Sequence, residues 1–232
     1  MTNTKKIFCL NDALGYVELV CTSGSDKTVV DAARVSHNND DRSKEAVDLR
    51  DRKLIQYLAD HKHTSPFEHV TFTFIVKCPL FIARQWMRHR TWSYNEISGR
   101  YTEMDVEYYV PLKEHIGTQG TANKQARYLE YGEGWGGASD RIRDAYANAT
   151  GAYYDLLDNE VPREVARMVL PLGLYTRFYA TVDLNNLIKF VGLRDHEGAQ
   201  LEMQLYARAV AKLAAKECPV SVSALLGEHH YD

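Results

Sequence analysis

The chain has 232 residues, of which 45% are hydrophobic and 25% are charged, and its formal net charge is −3. This composition is that of one ordinary globular core, so it excludes disordered, collagen-like and low-complexity chains. The slight acidic excess argues against a general nucleic-acid coat, and the apolar run at Pro79–Ala83 is far shorter than the roughly 20 residues of a membrane helix.

The four cysteines, Cys9, Cys21, Cys78 and Cys218, are scattered along the chain and form no C-x-x-C motif. Scattered cysteines of this kind are typical of a reduced intracellular protein. Met1–Leu10 holds only a fragment of an apolar segment, so we expect no signal peptide. Together these features predict a cytoplasmic location.

In the first half of the chain, predicted strands and helices alternate. Runs of β-branched and aromatic residues predict strands, and apolar residues at helical spacing predict helices. The predicted strands are Tyr16–Cys21, Val70–Val76 and Val106–Val110, and the predicted helices are Thr28–Ser36, Ala46–His61 and Leu80–Arg90. Ser65, Pro66 and Glu68 fit the N-cap, first turn and capping box of a short helical turn. Thr91–Tyr101 is predicted to be a loop.

The second half is predicted to be mostly helical. His115–Ser139 holds six of the 14 glycines and little periodicity, which predicts a mobile loop or an insertion at 115–139. The other predicted elements are the helix Asp140–Asp158, a helix opened by Pro162 and closed by Pro171, the strand Leu174–Val182, a helix from Leu184 capped by Asp183, and the helix Ala199–Glu217. The whole chain, 1–232, therefore predicts one helix-rich α+β domain with a small antiparallel sheet.

The densest polar cluster runs from Arg88 to Tyr101 and contains three arginines, a histidine, a glutamate, two serines and several aromatic residues. Arginine presents a planar fork of donors that suits phosphate or carboxylate, and it also stacks on flat rings. Serine hydroxyls and the backbone at Gly99 can complete an anion cradle. The segment fits a phosphorylated, ring-bearing ligand such as a nucleotide; the alternative is a solvated basic loop.

Three further arginines are considered as candidate functional residues. Arg194 lies seven residues after Leu187 on the apolar stripe of its helix, so it must face a ligand or an interface, unless Gly192 ends the helix and Arg194 caps the end. Arg163 and Arg167 lie one turn apart on another helix, and their spacing alone favours a solvated face.

Two other functions are open from the residues alone. His61, His63 and His69, with Glu68, are possible zinc ligands of a hydrolase, but their spacing matches no zinc signature and we expect no metal. The arginine- and aromatic-rich segment is also compatible with single-stranded nucleic-acid binding, which the net charge disfavours.

The arrangement Arg88-His89-Arg90, seven residues, then Ser98 resembles the R-H-R-x7-S signature of flavin-dependent thymidylate synthases. Other blocks of that family follow in order over roughly residues 60–220: His63–His69, Ala83–Trp86, Ser98–Tyr101, Pro162–Arg167, Leu170–Leu172, Leu174–Phe178 and Leu193-Arg194. The resemblance implies reductive methylation of dUMP to dTMP without a cysteine nucleophile. It implies FAD as cofactor, reduced by NADPH, with 5,10-methylenetetrahydrofolate as carbon donor. It also implies a homotetramer with active sites shared between subunits, and no nucleic-acid or membrane partner.

The resemblance also implies roles for individual residues. Arg194 matches the arginine credited with polarising the uracil ring, so it is the catalytic candidate. The dUMP-binding candidates are Gln85, Arg88, Glu96, Ser98, Gly99, Arg100, Arg167 and Arg194. The FAD-binding candidates are Ser65, Arg88, His89, Arg90, Glu96, Asp183, Asn185 and Lys189.

The sequence departs from the family pattern at four of these or nearby positions. Asp183 replaces a common Asn, Asn185 replaces a basic residue, and Lys189 stands where Asn or His is common. Gly198 occupies a position where His is common. The first three departures change the side chains that this helix offers to FAD, and Lys189 offers a positive charge in place of the one absent at Asn185.

Overall fold

A five-stranded antiparallel sheet organises the protein, and its strand order is β1-β2-β3-β7-β4. The computed structural model describes residues 5–36, 46–121, 127–129 and 136–227. The strands are β1 (Lys6–Phe8), β2 (Tyr16–Ser23), β3 (Thr71–Pro79), β4 (Ser93–Glu96), β5 (Thr118–Gln119), β6 (Arg127–Tyr128) and β7 (Tyr175–Asp183). The helices are α1 (Asp26–Val35), α2 (Leu49–Asp60), α3 (Leu80–Trp86), α4 (Ala138–Asp158), α5 (Arg163–Ala166), α6 (Leu184–Arg194), α7 (Leu201–Glu217) and α8 (Pro219–Leu226), with 3-10 turns at Ser65–His69, Lys113–His115 and Arg167–Val169.

The sheet is buried on one face only. Along β3, Phe72, Phe74 and Val76 are fully buried, and the residues between them are half-exposed. Because successive side chains of a strand point to opposite faces, this alternation gives the sheet one core face. The predicted α+β architecture with a small antiparallel sheet is confirmed.

Aromatic rings join the core face of the sheet to the covering helices. The Trp86 ring is fully buried, and its centroid lies 4.7 Å from that of Phe190 in α6 and 5.7 Å from that of Phe178 in β7. Trp92 and Tyr206 complete this cluster. The end of α3 is thereby fixed against α6 and α7, which determines where the residues after Trp86 lie.

Near the end of α3, the structure differs from two of the predicted elements. The predicted helix Leu80–Arg90 ends at Trp86, because the chain reverses: the backbone N–H of His89 donates to Trp86 O at 2.9 Å. The Tyr94 hydroxyl lies 3.0 Å from the carbonyl oxygens of both Trp86 and His89 and stabilises the reversal. The predicted loop Thr91–Tyr101 therefore contains β4, which pairs with β7 at the edge of the sheet.

Other predictions need correction. Val106–Val110 is not a strand, since it makes only an isolated bridge between Tyr108 and Leu174. The turn at Ser65–His69 begins after Thr64, and Glu68 does not form a capping box; its carboxylate accepts a hydrogen bond from Asn185 instead. β1 and α8 are not predicted from the sequence.

The predicted segment His115–Ser139 is partly structured. β5 and β6 pair within it, and α4 begins at Ala138. Residues 122–126 and 130–135 lie outside the described residues, and the insertion itself stays a prediction. No helix within the described ranges has the length and apolar character needed to cross a bilayer. The cytoplasmic location stays a prediction.

The core face of β3 supplies a stability test. Phe74→Ala removes a fully buried ring and should lower the free energy of unfolding by about 3–5 kcal/mol, because it leaves a cavity. Phe8→Ala is the matched control: Phe8 is 56% exposed, so its loss should cost less than about 1 kcal/mol. Urea denaturation at one protein concentration compares the two. Equal losses would contradict the placement of the core.

Candidate active site

Arg194 is the last residue of α6, and its guanidinium is held by two acceptors from the end of α3. Its Nε–H donates to Nε2 of His89 at 2.9 Å, and Nη2 donates to the carbonyl oxygen of Gln85 at 3.0 Å. Gln85 is in the last turn of α3, where carbonyls lack partners within the helix. The helix thus continues through Gly192, and Arg194 binds the C-terminal end of α3 rather than its own.

These contacts use one edge of the guanidinium. Arginine carries five N–H donors, and Nε with the adjacent Nη forms one of its two forks. Three N–H groups of Arg194 have no acceptor among the described residues, and two of them, one on each Nη atom, form the end-on fork. Arg194 can therefore present a bidentate donor to a ligand while its other edge stays fixed.

Arg88 places a second positive charge near this fork. Partial burial, with the nearby charge of Arg88, lowers the pKa of Arg194. Burial, with the charge of Arg194, lowers the pKa of His89 to about 4, so its imidazole is neutral at neutral pH. An anion or an oxygen that gains negative charge would relieve the repulsion between Arg88 and Arg194.

The side chain of Gln85 is oriented by Gln200, a residue that the sequence analysis does not identify as a candidate. Its side-chain amide donates from Nε2 to Oε1 of Gln200 at 2.6 Å. Oε1 of Gln85 accepts no hydrogen bond from a described residue. Gln200 directly precedes α7 and belongs to no recognised motif, so nothing in its local sequence distinguishes it.

A second group of candidates lies after β4. Gly99 is buried, and a Cβ there would meet Met104 Sδ at 3.1 Å and Arg167 Cδ at 3.4 Å. The lack of a side chain at Gly99 thus lets Arg167 pack against this loop. Ser98 Oγ accepts the Arg100 backbone N–H at 3.3 Å. This arrangement brings together four of the predicted dUMP residues.

Two acidic side chains complete this part of the site. The exposed Arg100 side chain lies 3.3 Å from the carboxylate of Glu164, which sequence reasoning did not assign to the site. The Glu96 carboxylate accepts from the Thr176 hydroxyl at 2.6 Å, which directs the end of β4 toward β7. Thr176 lies inside a family block, but no spacing singles it out.

Three of the predicted FAD residues, Ser65, Asp183 and Asn185, lie at the other end of α6. Asp183 caps this helix, since its carboxylate accepts from the backbone N–H of Asn186 at 2.9 Å and from the Asn186 side chain at 2.6 Å. Asn185 donates to Glu68 at 2.9 Å, in the 3-10 turn that includes Ser65. Lys189 is exposed midway along the helix.

The FAD candidates therefore fall into two groups within one chain. Arg88, His89 and Arg90 follow α3, near Arg194, whereas Asn185 is nine residues from Arg194 in α6. At 1.5 Å per residue that separation is about 14 Å along the helix axis.

Burial leaves most of the cysteines unreactive. It raises the pKa of the Cys218 thiol to about 12 and those of the Cys9 and Cys78 thiols well above their ordinary value. A thiol rather than a thiolate is a poor nucleophile. Only Cys21, in β2, is exposed.

The alternatives from the sequence find little support in the geometry. Trp92 is 5% exposed and the Tyr94 hydroxyl bonds inward, so two of the three aromatic rings of the arginine-rich segment are not available for stacking on bases, and Tyr101 is the exposed one. His61 and His63 rings lie 6.2 Å apart, and in the described part of the chain no three possible ligands converge on a metal position.

Comparisons with known proteins agree on one family. A sequence profile described as thymidylate synthase complementing protein matches residues 18–220. A flavin-dependent thymidylate synthase of Thermotoga neapolitana is 43% identical over 212 residues, 91% of this chain and 91% of that protein. A protein of the same name from Thermus thermophilus is 45% identical over 215 residues, 90% of this chain and 75% of that protein.

A solved structure gives the same result. The crystal structure of the UMP/dUMP methylase PolB from Streptomyces cacaoi, bound with 5-Br UMP, is 36% identical and superposes with a TM-score of 0.81. The match covers 93% of this chain and 95% of that one. The chain thus shares the α+β fold of that protein. The chain belongs to the thymidylate synthase complementing protein family, as the sequence resemblance predicts.

The neutral His89 predicts a specific dependence of stability on pH. Its folded pKa, about 4, lies below the ordinary value of 6.5, so between these values the unfolded chain binds more protons. The free energy of unfolding should therefore fall as the pH drops from about 6.5 to about 4, and this contribution should not change further below that range. His89→Gln should lack this component, because glutamine does not titrate. Urea denaturation of both proteins across this range measures the difference; parallel curves would contradict the assignment.

Proposed function

We propose that this chain is an FAD-dependent thymidylate synthase that methylates dUMP to dTMP. The relatives named flavin-dependent thymidylate synthase and the neighbour named UMP/dUMP methylase support this reaction. In the proposed reaction, 5,10-methylenetetrahydrofolate supplies the carbon, and FAD that is reduced by NADPH supplies the hydride. The observation that carries the proposal is the end-on fork of Arg194, which is fixed on its inner edge and free on its outer edge.

The fork explains how C5 of the pyrimidine is activated without a thiol. Methylation at C5 needs electron density there, and negative charge develops on the ring oxygens as the density shifts. A fixed guanidinium beside the N3–C2=O edge stabilises that charge without reorganising during the reaction. Because three of the four thiols are buried and protonated, this electrostatic route suits the chain better than thiolate addition at C6.

The second group of residues is suited to the phosphate of dUMP. Arg100 and Arg167 offer donors beside Ser98 and the backbone at Gly99. Arginine binds phosphate with a planar, bidentate fork, so two of them can fix the nucleotide at a defined distance from Arg194. We propose that Glu96, held by Thr176, and Gln85, held by Gln200, contact the sugar or base.

The residues near the R-H-R segment fit a flavin cofactor. Arg88 and Arg90 are exposed cations that suit its pyrophosphate, and Ser65 adds a hydroxyl at the opposite end of α6. The carboxylate of Asp183 is occupied in capping, and the Asn185 amide donates to Glu68. We therefore propose that Lys189, rather than Asp183 or Asn185, is the residue of this helix that contacts FAD, through its positive charge.

Exposed apolar side chains support a site shared between subunits. Three of them lie close in sequence to the candidate arginines: Met168 is 77% exposed, Leu193 60% and Leu172 58%. Exposed apolar residues clustered at a functional site are typical of a subunit interface. We propose a homotetramer in which facing subunits complete each site.

The proposed function is tested by spectroscopy and product analysis of the purified protein. We expect flavin absorbance after supply of FAD, and loss of that absorbance on addition of NADPH without oxygen. With dUMP and methylenetetrahydrofolate present, dTMP should form. A protein that stays colourless in FAD and forms no dTMP would refute the proposal.

A substitution tests the role of Arg194. Arg194→Ala should lower the rate of dTMP formation, because the transition state loses about 2–4 kcal/mol of stabilisation. This is the range observed when an oxyanion donor is removed. Arg143→Ala is the control, because Arg143 is an exposed residue of α4 that pairs with Asp140. Steady-state kinetics compare the variants. Normal turnover in Arg194→Ala would rule out the proposed role.

A further inference from the structure

We propose that His89 is the positioning residue that fixes the guanidinium of Arg194, by accepting a hydrogen bond from its Nε–H. This inference rests on the proposed function and goes beyond the contact with FAD that the family resemblance implies for His89. It states that His89 affects the chemical step through Arg194, whether or not the imidazole also touches the cofactor.

The donor chemistry determines the protonation of His89. Arginine nitrogens donate and never accept, so Nε2 of His89 must offer its lone pair at 2.9 Å. A neutral imidazole with an acceptor at Nε2 carries its proton on Nδ1. The contact therefore requires one tautomer, and a protonated His89 would lose it.

The imidazole is itself held in place by α6. Its ring meets the fully buried Phe190 ring edge-on, with centroids 4.9 Å apart and an interplanar angle of 74°. Phe190 and Arg194 lie four residues apart, so they project from the same face of the helix. Phe190 sets the plane of the imidazole and Arg194 meets its nitrogen one turn later. The backbone of His89 is fixed by the Tyr94 hydroxyl at 3.0 Å.

The carbonyl oxygen of Gln85 alone does not fix the orientation of the guanidinium. The carbonyl of Gln85 holds Nη2, but a single contact allows the group to turn about that point. When His89 also accepts a hydrogen bond from this edge, the two contacts together determine the plane of the guanidinium and the direction of its free fork. Catalysis by oriented groups is sensitive to displacements of about 1 Å, so loss of this contact should lower the rate of the chemical step.

Two substitutions separate positioning from other roles. Glutamine places its amide oxygen near the position of Nε2, whereas asparagine is shorter and reaches only the region of Nδ1. We expect His89→Asn to lower kcat by about tenfold to hundredfold, the effect of losing a hydrogen bond to a charged group. The KM for dUMP should change by less than about threefold, because ground-state binding relies on other arginines. His89→Gln should recover most of kcat. These assays use saturating FAD, and the His89→Asn assay is repeated at limiting FAD.

Three outcomes would overturn the inference. One is equal loss of kcat in both variants, and another is normal kcat of His89→Asn at saturating FAD with a loss only at limiting FAD, which would leave His89 as a cofactor contact only. The third comes from crystal structures of the variants, in which Arg194 should keep its orientation in His89→Gln and turn away in His89→Asn; an unchanged guanidinium in His89→Asn would refute positioning. If the unmodified protein forms no dTMP, the proposed function fails, and the crystal structures still decide whether His89 orients Arg194.

Discussion

The candidate site depends on one interaction, the hold that the end of α3 has on the Arg194 guanidinium at the end of α6. Two helices that are far apart in sequence meet there because aromatic packing around Trp86 fixes the end of α3 against Phe190. The hydrophobic core thereby determines the direction of a charged group at its border. The packing of these helix ends therefore affects both the stability of the fold and the orientation of Arg194.

The interaction brings like charges together, which costs stability. Burial, with the charge of Arg88, lowers the pKa of Arg194, and burial, with the charge of Arg194, lowers the pKa of His89. A globular protein gains nothing from this arrangement in isolation, and such perturbed groups concentrate at functional sites. In the proposed function, negative charge that develops on the pyrimidine oxygens offsets this repulsion.

The sequence predicted the elements whose residues repeat with a clear period. The alternation along β3 and the apolar stripe of α6 fall into this class, whereas the spacing left the placement of Arg194 open between a ligand-facing position and a helix cap. β4 was missed because Ser93–Glu96 has weak strand preference and forms by pairing with the edge of β7. The contacts of Arg194 were not predictable from spacing, since His89 is 105 residues away and its meeting with α6 depends on three-dimensional packing. Family motifs named His89 but not its hydrogen bond, and Gln200 carried no local signal.

The central claim is that the free fork of Arg194 faces the pyrimidine ring. Its most direct test is a crystal structure of the protein with 5-bromo-dUMP and FAD, in which the anomalous signal of bromine locates the ring. We predict a pyrimidine oxygen within about 2.7–3.2 Å of an Arg194 Nη atom, while Nε stays bonded to His89. A bromine position remote from Arg194, or a guanidinium turned away from the ring, would contradict the account.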